Sequence, residues 1–118
     1  MFISIKPIGK PRMTQRDKWS QRPAVLRYHA FCDELRLRYK GTLPTRVELT
    51  FYIPMSDSWS KRRKENQRGT PHQMKPDIDN LVKATLDALS LEDSYIWEIH
   101  AAKFWTDSSG MGIEITDL

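Results

Sequence analysis

The sequence predicts an α+β fold: a mixed β-sheet of about four strands carrying two packed helices. Three observations point there. The apolar spacing switches along the chain between a period of two and a period of three and four, in the order β-α-β-α-β-β. No internal repeat or linker interrupts it, so residues 1–118 are read as one domain. Hydrophobic residues make up 39% of the 118, with 5 glycines and 7 prolines, which suits one modest core and excludes collagen-like or low-complexity chains.

Each element has its own signal. Phe2–Ile5 alternates and reads as a short first strand, and residues 6–22, polar and broken by prolines, read as a loop. From Pro23, the residues Val25, Tyr28, Cys32, Leu35 and Tyr39 recur as one face of an amphipathic helix. Pro23 suits its first turn and Gly41 its stop. Val47, Leu49, Phe51 and Ile53 alternate with Glu48, Thr50 and Tyr52, giving a half-buried strand closed by Pro54. Residues 56–75 carry little apolar content and read as a long loop. Pro76 opens a second helix whose stripe is Ile78, Leu81, Val82, Thr85, Ala88 and Leu89. A short connection, Ser90–Ser94, leads to a strand over Tyr95–Trp105, a turn, and a closing strand over Met111–Thr116. Strand order stays open.

Composition also limits what the chain does. No apolar run is long enough to span a bilayer, and the start lacks the pattern of a signal peptide, so a cytoplasmic protein is expected. One cysteine, Cys32, excludes an internal disulfide framework and a thiolate metal site. The net charge of +4 is unevenly spread. Residues 1–27 carry net +6 and residues 61–75 net +5, whereas residues 76–118 carry net −7. That pattern fits either segregated surface charge or a phosphate-binding surface beside a carboxylate site.

The densest chemistry lies in Lys75-Pro-Asp-Ile-Asp-Asn-Leu-Val-Lys-Ala-Thr-Leu-Asp-Ala-Leu89. On a regular helix Asp77 and Asp79 would point about 200° apart. On an extended approach to a helix they share a side, and Pro76 favours such an entry. Two carboxylates held together need a proton or a cation between them. Hard oxygen donors without cysteine or paired histidine point to Mg²⁺, with Mn²⁺ as substitute. Lys83, one turn on, suits a phosphate oxygen or developing negative charge. The plainer reading makes Asp77 a helix cap and Asp79–Lys83–Asp87 an exposed ion-pair ladder.

The order Lys-Pro-Asp-x-Asp-Asn-Leu-x-Lys-Ala-x-x-Asp-Ala-Leu, then an acidic pair, then a β-rich strand, resembles the RusA family of Holliday-junction resolvases. Gly9-Lys10-Pro11-Arg12 and Ser58-Trp59-Ser60 with its following basic run extend the resemblance over most of the chain. It implies a small homodimeric, Mg²⁺-dependent endonuclease that resolves four-way DNA junctions by paired nicks, with no organic cofactor and no membrane. Asp77 and Asp79 match the family's first two catalytic, metal-holding carboxylates, Lys83 its catalytic lysine, and Asp93 its third carboxylate. The pair here is Glu92-Asp93 where Asp-Asp is common, and the connection from Leu89 to Asp93 is shorter than the family's usual one. Ten helical steps from Asp79 to Leu89 rise about 15 Å. Four extended residues return about 14 Å, so a shared metal is within reach but tight, and Glu92 is the substitute.

Lys10, Arg12, Arg16, Lys61, Arg62, Arg63, Lys64, Arg68 and Lys75 are the expected DNA-binding residues. Trp19 and Trp59 flank them, either as packing residues or as platforms for unpaired bases. The histidines are dispersed, with His72 inside the basic segment and suited to phosphate, and no Ser-His-Asp arrangement or glycine-rich phosphate loop is present. Two further readings use the same residues: a nuclease acting on flaps or forks, and a catalytically inactive protein that binds branched DNA.

Overall fold

The computed structural model describes residues 1–12, 22–90, 92 and 94–118. Among these, four strands form one mixed sheet: β1 (Phe2–Ile3), β2 (Arg46–Pro54), β3 (Glu98–Thr106) and β4 (Gly112–Asp117), in the order β1-β4-β2-β3. β4 runs antiparallel to both β1 and β2, and β3 runs parallel to β2. Among the described residues three α-helices join them: α1 (Pro23–Arg38), α2 (Lys61–Gln67) and α3 (Ile78–Leu89). The α+β class and the four strands match the sequence expectation; the third helix does not.

α2 lies inside the stretch expected to be one long loop. Its residues, KRRKENQ, contain no apolar periodicity and none is buried. What builds it is propensity and capping: Lys, Arg, Glu and Gln favour helix, and Ser60 Oγ accepts from the Arg63 N–H at 3.2 Å as N-cap. Gly69, at φ +79°, ends the turn that follows. Residues 69–72 then run along the outer edge of β3. Gly69 N–H donates to Trp105 O, Trp105 N–H to Thr70 O, and His72 N–H to Lys103 O, at 2.9 to 3.0 Å. The expected loop is therefore a capped helix and an edge-pairing segment.

Other boundaries moved by small amounts. β1 stops at Ile3 rather than Ile5, and β3 starts at Glu98 rather than Tyr95, with Trp97 N–H bonding Thr45 O just ahead of the two paired strands. The close approach of β4 to β1 is set by Gly112. A Cβ there would lie 2.5 Å from the Ile3 carbonyl oxygen, so no other residue fits without moving β1.

The core fills one side of the sheet. Val47, Leu49, Phe51 and Ile53 of β2 and Ile113 and Ile115 of β4 meet Val25, Tyr28, Phe31, Cys32 and Leu35 of α1 and Leu81, Ala84, Thr85 and Ala88 of α3. Thr85, the buried polar side chain of α3, donates its hydroxyl to Leu81 O at 3.0 Å, so its burial leaves no unmet donor. Because β2 and β3 are parallel, α3 must return across the sheet between them, which brings its N-terminus beside the C-terminal half of β3. That juxtaposition places the acidic motif.

Candidate active site

Asp77 is the N-cap of α3, with extended backbone (φ −67°, ψ 147°). Its side chain makes no capping hydrogen bond, so the cap reading does not account for it. Asp77 is exposed and has no ion-pair partner among the described residues. Asp79 sits in the first helical turn, where a negative charge is favoured by the helix dipole. Lys83 approaches it to 3.8 Å, a loose contact between two well-exposed side chains. The expected ladder is only half present, because Asp87 turns elsewhere: its Oδ2 accepts from Tyr28 Oη at 2.9 Å and meets Lys10 Nζ at 2.6 Å. Asp87 is thereby tied to α1 and the N-terminal segment.

The approach to Asp77 is pinned from β3. Lys103 Nζ donates to Met74 O at 2.6 Å and to Pro76 O at 2.8 Å, joining two turns of chain just ahead of the carboxylates. No sequence pattern marked Lys103; it reads as one polar residue in a β-rich run. On the other flank, Lys10 N–H bonds Asn80 O at 3.0 Å. Gly9 lies so near that a Cβ there would stand 3.0 Å from Pro76 Cβ. The N-terminal basic segment is thus laid against the start of α3.

The result is a cleft of about 510 Å³ lined by Lys10, Arg12, Lys75, Asp77 and Asn80 among others. Three of the expected DNA-binding residues and one expected carboxylate share it. The remaining cations divide into groups. Lys61, Arg62, Arg63 and Lys64 lie on α2 with no carboxylate partner among the described residues, and the Arg63 guanidinium rests 3.7 Å over the Trp59 ring. Arg68 is held by Asp107 in a forked pair at 2.9 to 3.0 Å, which holds the Asp107 carboxyl below its ordinary value. Trp59 also packs against Trp105, with ring centres 4.7 Å apart. Arg16, Trp19 and Asp93 lie outside the described residues. Glu92 accepts the Ser94 N–H at 3.0 Å, and that bond lowers its pKa.

Two exposed carboxylates at a helix entry, Asp77 without a partner among the described residues and Asp79 only loosely met by Lys83, fit a Mg²⁺-type cation, which takes one or two protein carboxylates and fills its remaining positions with water and phosphate oxygens. Among the described residues no third histidine, cysteine or acidic side chain joins them. Carboxylates beside a basic cleft and a helix N-terminus have the chemistry of phosphodiester hydrolysis. The family model for endodeoxyribonuclease RusA matches residues 5–116 of the 118. The chain belongs to the RusA family of endodeoxyribonucleases. No curated protein and no solved structure matches it.

Proposed function

We propose that this chain is a divalent-cation-dependent endonuclease that resolves four-way DNA junctions by paired nicks in opposed strands, in DNA recombination and repair. The observation that carries the reading is the Asp77 carboxylate, without a partner among the described residues and opening with Lys10, Arg12 and Lys75 on one cleft, in a chain of this family. Asp77 and Asp79 hold Mg²⁺ or Mn²⁺, with Asp93 as the third carboxylate. When bound, the cation supplies Lewis acidity at the scissile phosphate and lowers the pKa of the attacking water.

The chain's own groups do the rest. Lys75 and Arg12 bind flanking phosphates and fix the register of the strand in the cleft. Lys83, loosely held by Asp79, moves to a phosphate oxygen and neutralises charge that grows in the transition state. The N-terminus of α3 adds a partial positive charge at the same place. A junction has approximate two-fold symmetry, so a homodimer presents two such sites to opposed strands. The resemblance to the family implies 5′-phosphate and 3′-hydroxyl ends. A cytoplasmic protein acting on DNA fits the absence, among the described residues, of any helix long and apolar enough to cross a membrane.

An end-labelled four-way junction, run beside a fork and a linear duplex, tests this. With Mg²⁺ the junction should be nicked in symmetric pairs, and EDTA should stop it. Asp77→Asn and Asp79→Asn should each lower cleavage by at least about 10²-fold while junction binding holds. Cleavage unchanged in both variants would reject the site; equal cleavage of fork and junction would reject the junction preference.

A further inference from the structure

A second cavity, of about 590 Å³, takes no part in the hydrolysis described above. It opens where β2 ends, between the turn after that strand and the segment leading to α3, and Lys75 lines both it and the carboxylate cleft. Its aromatic wall is Trp59, His72 and Trp105, with the His72 ring centre 4.1 Å from that of Trp105. Met55, Met74 and Met111 add soft apolar surface. Ser56, Asp57 and Lys6 supply polar groups. His72 is only 3% exposed, and its Nδ1 has no hydrogen-bond partner among the described residues. Buried polar atoms are nearly always satisfied, so a lining side chain that carries an unpaired one marks this wall as unusual.

We propose that this cavity receives one unpaired nucleobase of the DNA, next to the phosphate addressed by Asp77 and Asp79. The inference rests on the nuclease reading above. The volume lies within the range of small-molecule pockets, roughly 300–1,000 Å³. A base has an apolar face for the tryptophan and methionine surface and a mixed donor and acceptor edge for the polar groups of His72, Ser56 and Asp57 that line the cavity. The cations at hand suit the phosphates attached to such a base: Lys75 leads into the cleft, and Arg63 is held over Trp59. An uncharged ligand would need neither. At a branch point bases can leave the stack at lower cost than within a duplex.

The test places 2-aminopurine, one position at a time, at the nucleotides flanking the crossover of a four-way junction. Its fluorescence is read as the unaltered protein binds in Ca²⁺. One position should respond on binding, and an abasic site there should slow Mg²⁺-dependent cleavage by roughly 5- to 100-fold. Trp59→Ala and His72→Gln, checked for folding by thermal melting, should no longer distinguish the intact junction from the abasic one. Junction cleavage by the unaltered protein with no responding position would overturn this inference alone. Retained discrimination in both variants would do the same. Failure of the unaltered protein to bind or cut any branched DNA would overturn the nuclease reading and the base subsite with it. The fluorescence arm needs no variant, so a misfolded substitution cannot hide the answer.

Discussion

At the scale of single residues, His72 couples burial to pH. Burial, with a smaller contribution from the Lys103 ammonium, pulls the imidazole below its ordinary value of 6.5. Between 6.5 and that lowered value the unfolded chain binds a proton that the folded chain refuses, so stability falls as pH drops through this window. Above 6.5 the contribution is fully present. In His72→Gln the decline between pH 7.5 and 5.5 should shrink, read from urea midpoints in both proteins; an identical decline would reject the assignment. Asp87 shows the opposite use of a charge. The spacing of Asp79, Lys83 and Asp87 made a ladder plausible, yet Tyr28 and Lys10 take Asp87 from across the fold. Desolvation and the bond to Asp87 push the Tyr28 hydroxyl upward, which keeps it a donor. Such a partner cannot be read from helical spacing, because Tyr28 lies 59 positions away.

At the scale of elements, the entry to α3 depends on a strand that carries no carboxylate in contact with it. Lys103 of β3 bonds two carbonyls of the segment that delivers Asp77. Lys103→Met should therefore lower Mg²⁺-dependent cleavage by about 10²-fold, since small misplacements of reacting groups cost that much. Junction affinity should change by only a few-fold, and Lys103→Arg should recover part of the rate. Equal losses in binding and in rate would point to general unfolding instead. α2 marks the limit of reading by periodicity. It buries no residue, so no apolar stripe announced it. Its signals were Ser60 as cap, a run of good helix formers and Gly69 at the stop, none of which is tied to hydrophobic spacing. α1 and α3, which do bury a face, were legible within a few residues.

At the scale of the whole molecule, basic side chains lie both in the cleft and on α2. Six expected DNA-contacting cations, Arg12, Lys61, Arg62, Arg63, Lys64 and Lys75, have no carboxylate partner among the described residues, while Lys10 and Arg68 are paired within the chain. If each of the six neutralises one phosphate, log affinity should fall against log salt with a slope of about −5. Lys61→Ala with Arg62→Ala should make that slope shallower by about 2 and leave junction preference intact. A slope unchanged by the pair would remove α2 from the binding surface. Lys10 and Arg68 hold exposed ion pairs, which are weak enough for a phosphate to displace, so they add to the slope only where DNA competes successfully.

What the sequence determined by itself was local. Alternation and helical spacing record which face of an element is buried, and the run from Lys75 to Leu89 carries its donors within two turns of one another, so four strands, two of the helices and the Asp77, Asp79 and Lys83 motif were readable from order alone. The tertiary structure decided everything that depends on residues far apart in the chain. It set the parallel pairing of β2 with β3, the hold of Lys103 on the approach to Asp77, and the meeting of Lys10 and Arg12 with that carboxylate in one cleft. The reason is physical: a hydrogen bond or ion pair between distant segments is selected by the packing of the whole core, and packing leaves no periodic trace in the sequence around either partner.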